Sequence, residues 1–249
     1  MGHPLRTLVA ATRSVTAYLA VSLYTLIVGP PGIALAIAFN WPNVLFQLGV
    51  VGAAMGLRIA GVRCVFTGRE HVVVGRAAVY CPNHTSNLDP PIVFQVLRPL
   101  FPHLHVMYKA VLRRLPILGR CFDIGGFIPV DRSDKEKSAK AVAQAIDQMK
   151  TGNSFMAYPE GTRSHTGELL PFKKGVFILA IEAQAPVVPI AISGAVAAMR
   201  RGSPFIWPTT VRVSVGAPIE TRGLTVGDRD ALSERTRQAI AEMLAQSSR

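Results

Sequence analysis

Between Arg13 and Arg58 the chain carries no Asp, Glu, Lys or Arg. An ordinary globular helix keeps a charged or polar outer face, and nothing in this segment can supply one. Two apolar runs, residues 15–39 and 44–60, flank the turn-like Asn40-Trp41-Pro42-Asn43. Each comes close to the ~20 residues that span a bilayer. Gly29-Pro30-Pro31-Gly32 lies inside the first run and is expected to break or sharply kink it. A cleaved signal peptide would account for Arg6 and Arg13 ahead of an apolar run and for the small Ala34, Ala36 and Ala38, but the run is long and a second follows at once. The reading that fits is a membrane-embedded or membrane-docking helical hairpin over residues 1–60. Arginines at both of its ends (Arg6 and Arg13; Arg58, Arg63 and Arg69) would hold those ends on the cytoplasmic side.

The rest of the composition narrows the partners. Lys and Arg number 27 against 15 Asp and Glu, a net charge of +12, while hydrophobic residues reach 49%. A strong positive balance points to a polyanionic partner. Nucleic-acid binders show a basic helix or basic residues interleaved with aromatics, and neither is present, so no nucleic acid is expected. Basicity joined to apolarity favours anionic membrane lipids. Cys64, Cys81 and Cys121 are far apart and form no C-x-x-C pair, which supports neither zinc nor a disulfide framework. They read as buried, reduced thiols.

From about residue 61 the pattern changes to short β-branched runs alternating with helical periodicity. Strands are predicted over 62–67, 77–81, 104–108, 126–130, 154–158, 187–192 and 211–215. Helices are predicted over 91–100, from a capping box at Ser133-Asp134-Lys135-Glu136 to Gly152, over 174–184 and over 228–245. Val142, Ala145, Ile146 and Met149 give the second of these its apolar face. Residues 61–249 thus form one α/β domain, a mixed sheet flanked by helices.

Within that domain, NHTSNLDP (Asn83–Pro90) sets a histidine and an aspartate five positions apart. On a straight helix the two would lie ~140° apart and point away from each other. Asp89 precedes Pro90-Pro91, where the backbone avoids the helical region, and Asp followed by Pro is a favoured helix start. The expected geometry is therefore a loop carrying His84, then a helix from Pro90 capped by Asp89. A neutral imidazole in such a loop can take a proton from a hydroxyl while a carboxylate fixes its tautomer. No G-x-S-x-G elbow is present, and nothing marks Ser86 or Cys81 as an activated nucleophile. Taken alone the spacing is cheap, and a loop histidine beside an ordinary cap accounts for it equally well.

Three further stretches carry anion-binding chemistry. In YPEGTRS (Tyr158–Ser164), Gly161 permits a tight turn, Arg163 can grip a phosphate with two N–H groups, and Glu160 can orient that arginine or accept a substrate hydroxyl. GGFIPVDR (Gly125–Arg132) puts Arg132 at another strand end, and Lys109 follows a third strand. Arg113, Arg114 and Arg120 nearby suit anionic headgroups. VVPIAISG (Val187–Gly194) reads as a buried strand with a proline that marks a bulge or edge. Strand ends of open α/β sheets are where ligands bind.

Taken in order, these four blocks resemble those of the glycerolipid acyltransferases, most closely the bacterial 1-acyl-glycerol-3-phosphate (lysophosphatidate) acyltransferases. The likeness covers roughly residues 58–214, and YPEGTRS is its most specific part. The resemblance implies His84 as general base and Asp89 as its orienting partner. It implies a phosphate site made by Lys109, Arg132 and Arg163, with Glu160, Gly161 and Thr162 shaping it. It also implies an acyl-CoA or acyl-carrier-protein donor, no metal or other cofactor, transfer to the sn-2 hydroxyl of lysophosphatidate to give phosphatidic acid, and a site at the cytoplasmic face of the cell membrane. Other acceptors, such as glycerol 3-phosphate or another lysolipid, are the nearest alternative. A metal-dependent phosphohydrolase using His84, Asp89 and Glu160 as ligands, and a noncatalytic binder of anionic lipid, are the alternatives from other classes.

Overall fold

The computed structural model describes residues 3–131 and 134–247. Two helices, α1 (His3–Ala38) and α2 (Asn43–Ala60), form an antiparallel hairpin and lead into β1 (Val62–Thr67). Close helix approach is bought with small residues on α2. A β-carbon on Gly52 would fall 2.9 Å from the Tyr24 ring, and one on Gly56 would fall 2.7 Å from Val21. Both helices are long and apolar enough to cross a membrane, and their outer faces leave Leu19 66%, Leu23 59% and Leu26 63% exposed. This is a membrane-associated chain.

Of the break or kink expected at the prolines, the break does not occur: α1 continues as helix through Pro30 and Pro31. Those prolines remove two amide donors, which would ordinarily weaken the helix. Packing on both sides holds it. A β-carbon at Gly29 would meet Ile117, and one at Gly32 would meet Leu48 of α2.

Seven strands make one sheet in the order β1-β7-β6-β2-β5-β3-β4, comprising β2 (Val79–Pro82), β3 (Leu104–Lys109), β4 (Ile128–Val130), β5 (Ser154–Met156), β6 (Val187–Ser193) and β7 (Thr209–Val215) besides β1. Strands β6, β2, β5, β3 and β4 run parallel to one another, while β7 is antiparallel to β6 and carries β1 parallel to itself. Alternating side chains feed two cores. Tyr80, Met156, Val188 and Ile190 pack with α2 and α3 (Asp89–Val96) on one face. Val79, Cys81, Phe155 and Val187 pack on the other face with α5 (Lys135–Lys150), α6 (Gly175–Glu182) and α8 (Arg229–Ser247). Two short helices, α4 (Pro116–Ile124) and α7 (Ala195–Ala198), complete the fold.

Two local expectations are corrected. The cap of α5 is Asp134, whose side chain accepts from the Lys137 amide, and Ser133 lies outside the described residues. Of the three free thiols only Cys81 is fully buried, while Cys64 and Cys121 are half-buried.

Candidate active site

Because β6, β2, β5, β3 and β4 are parallel, their carboxyl ends share one edge of the sheet. His84 follows β2, the YPEGTRS turn follows β5, and Lys109 closes β3 and is exposed. Arg132 lies outside the described residues.

The loop after β2 is fastened on every side. Asn83 is buried, and its side-chain amide exchanges two bonds with the backbone of Ile192, donating at 3.1 Å and accepting at 2.7 Å. His84 Nδ1 lies 2.9 Å from Asp89 Oδ2. The same oxygen accepts the amides of Thr85 at 2.6 Å and Ser86 at 2.7 Å. Asp89 is 0% exposed, and the His84 side chain keeps 17% exposure. A carboxylate can only accept, so in the neutral imidazole Nδ1 carries the proton and Nε2 keeps its lone pair.

Asp89 is not the helix cap that the sequence suggests. The cap position is Leu88, with no side-chain cap bond, and Asp89 is the first helical residue. A capping side chain would bond the second and third helical amides. Were Asp89 the cap, the second helical position would be Pro91, which has no N–H to offer, and the third Ile92, whose amide instead donates to the Leu88 carbonyl at 3.1 Å. Helical side chains lean back toward the N-terminus, so the carboxylate reaches the amides and the histidine that precede it.

The surroundings of four nearby residues define what each can do. Glu160 is 2% exposed and makes no ion pair with Arg163 among the described residues. Its Oε1 accepts the His84 amide at 2.6 Å and its Oε2 the Leu170 amide at 2.9 Å, so it ties the two loops together. Burial raises its pKa against the pull of those two amides. Ser86 donates to the Met199 carbonyl at 3.0 Å and is fully buried, and burial pushes the Cys81 thiol up. Neither is available as a nucleophile. Tyr158, unremarked in sequence except as the first residue of its block, stacks on His84 with ring centroids 3.9 Å apart. Its hydroxyl is buried without a partner among the described residues, and its pKa is raised by burial and by the Asp89 charge.

Gly161 has φ +69°, a left-handed conformation that favours glycine. Thr162 is exposed, and Arg163 is half-buried with its carbonyl accepting from Arg201 Nη1 at 2.9 Å. Among the described residues no group of three His, Cys, Asp or Glu side chains is placed to hold a metal ion.

Beside this edge, between the hairpin and helices α3 and α4, lies an apolar cavity of about 450 Å³. Tyr24, Gly49, Phe94 and Leu118 line it, together with Pro90 and Pro91. The two prolines that follow Asp89 are therefore also part of the cavity wall.

Comparison with known proteins fits this architecture. Residues 63–193 match the family model described as Acyltransferase. A 1-acyl-sn-glycerol-3-phosphate acyltransferase of Limnanthes douglasii is 31% identical over 205 residues, which is 80% of this chain and 71% of that protein. The human 1-acyl-sn-glycerol-3-phosphate acyltransferase beta is 35% identical, over 66% of this chain and 59% of its own length. The crystal structure of a 1-acyl-sn-glycerophosphate acyltransferase from Thermotoga maritima superimposes with a TM-score of 0.82 at 20% identity, covering 96% of this chain and 97% of that one, which is a likeness of fold. With more than half its length matched by the family model, this chain belongs to the acyltransferase family.

Proposed function

We propose that the chain transfers a fatty acyl group from a thioester, acyl-CoA or acyl carrier protein, to the sn-2 hydroxyl of a 1-acyl-glycerol-3-phosphate, yielding phosphatidic acid. The observation that carries this is the His84–Asp89 bond of 2.9 Å, with Asp89 running directly into two prolines that wall an apolar cavity. An acyl chain lodged there would place its carbonyl beside the histidine.

In this reading Nε2 of His84 accepts the proton of the acceptor hydroxyl as its oxygen attacks the thioester carbonyl. Asp89 holds the imidazole in the competent tautomer and stabilises the imidazolium. The thiolate then departs as the tetrahedral intermediate collapses and the imidazolium gives up its proton. Lys109, Arg132 and Arg163 hold the acceptor phosphate, which fixes the hydroxyl near the base. Glu160, Gly161 and Thr162 shape that turn, Glu160 through the backbone rather than through substrate. No metal or other cofactor takes part. The first 60 residues dock the enzyme on the cytoplasmic face of the cell membrane, where anionic lipids meet Arg113, Arg114 and Arg120.

The test is acyl transfer in detergent, with lysophosphatidate and an acyl-CoA or acyl carrier protein, beside His84→Ala. The variant is expected to lose about 10²–10⁴-fold in rate with unchanged circular dichroism. Wild-type rates in the variant would sink the mechanism, and no transfer from any donor would sink the reaction.

A further inference from the structure

Lys173 and Lys174 are neighbours with different surroundings. Lys174 Nζ lies 3.0 Å from Asp230 Oδ1 on α8. Lys173 is exposed and makes no ion pair among the described residues. Yet it is not a loose surface residue, because its backbone amide donates to the Pro159 carbonyl at 2.7 Å. That bond pins it against the turn that follows β5.

The side chain then crosses Gly161. A β-carbon at Gly161 would fall 2.8 Å from Lys173 Cε, 2.9 Å from Cδ and 3.1 Å from Nζ. A side chain at this position would have to displace the end of the lysine stem, and the positive φ of Gly161 favours glycine for a separate reason. The ammonium thus lies over a turn in which Glu160 and the Arg163 carbonyl are already committed. Glu160 grips the amide of His84, and the Arg163 backbone is held by Arg201. With both oxygens of Glu160 taken by backbone amides, no carboxylate of the turn neutralises this cation.

A positive charge left unpaired against a glycine turn, one residue from the group that anchors the candidate base, is suited to an anion delivered there. We propose that Lys173 is a further binding residue for the phosphomonoester of the acceptor, acting with Arg163 across the Gly161 turn. This inference rests on the acyltransferase reading given above and names a residue of its acceptor site. Lysine contributes a point charge on a flexible stem, so it suits a phosphate whose orientation the guanidinium of Arg163 already fixes.

The experiment compares wild type, Lys173→Ala, Lys173→Arg and Lys174→Ala in detergent. The acceptor is lysophosphatidate, and inorganic phosphate is the competing anion. Lys173→Ala should raise the acceptor KM about tenfold, the equivalent of about 1.4 kcal/mol, with the acyl-donor KM and kcat close to wild type. It should weaken inhibition by inorganic phosphate in the same proportion. Lys173→Arg should recover most of both, and Lys174→Ala should behave as wild type. If Lys173→Ala keeps the wild-type acceptor KM and phosphate inhibition, the inference is overturned while the reaction stands. Equal effects of Lys173→Ala and Lys174→Ala also overturn it, since they would report general surface charge. A wild-type protein that acylates no lysophosphatidate overturns the reaction itself.

Discussion

Leu23 and Asp89 each sit where solubility in water would not put them. Leu23 is an apolar side chain 59% exposed on α1, and Asp89 is an acidic side chain with no exposure at all. The first belongs to an apolar surface that lipid would accommodate better than water, in keeping with a chain that associates with membranes. The second is stable only because one oxygen collects two backbone amides and a histidine. One region advertises its solvent, the other its chemistry. They meet at the cavity whose wall includes Tyr24 from the hairpin and Pro90 from the site.

The sharpest break falls on the polar side. Asp89→Asn should lower kcat about 10³-fold or more, because the amide no longer stabilises an imidazolium or enforces the tautomer. Single-turnover kinetics would show the loss in the chemical step, and an unaffected rate would mean that the buried bond is purely structural. On the apolar side, Leu23→Asp places a charge worth about 2.5–3.5 kcal/mol at mid-bilayer. Flotation with anionic vesicles should fall about a hundredfold while specific activity in detergent stays near wild type. A parallel loss in detergent would show that the two regions are not separable.

A smaller change probes their junction. A β-carbon at Gly49 meets nothing within 4 Å, so Gly49→Leu should fold normally and grow into the cavity. Competition between acyl donors should shift toward shorter chains, by about fourfold for each methylene displaced, at ~0.8 kcal/mol each. The smallest expected effect concerns Glu160, whose pKa burial raises above its ordinary value of 4.5. A group that binds its proton more tightly when folded favours the folded state most below its unfolded pKa, and that advantage is lost as pH rises through the folded value. Thermal melts of wild type and Glu160→Gln across pH 4–8 should therefore show wild type losing ground relative to the variant as pH rises from about 4.5. A pH-independent difference would exclude a raised pKa at Glu160.

Much of this was legible in the amino-acid order because periodicity reports burial directly. β1 and the start of β3 fall where the β-branched runs place them, and the apolar face of α5 is the one carrying Ala145 and Met149. What escaped depended on contacts between distant segments. The prolines of α1 do not end the helix because Ile117 and Leu48 pack against the flanking glycines. Glu160 reads as a partner for Arg163, its neighbour in sequence, and instead serves the backbone of a loop 76 positions away. Local chemistry misled at Asp89 as well: Asp before Pro resembles a cap, yet Pro91 has no amide to donate and the Ile92 amide goes to the Leu88 carbonyl.

The two prolines carry a double load. Pro90 and Pro91 line the cavity and directly follow the carboxylate that bonds His84, so with an acyl chain lodged as proposed, substitution at either would act on chain preference and rate together. Gly49 touches the cavity from the other helix and has no part in the His84–Asp89 contact. On that reading, chain preference can be separated from rate on the hairpin side of the cavity and not on the proline side.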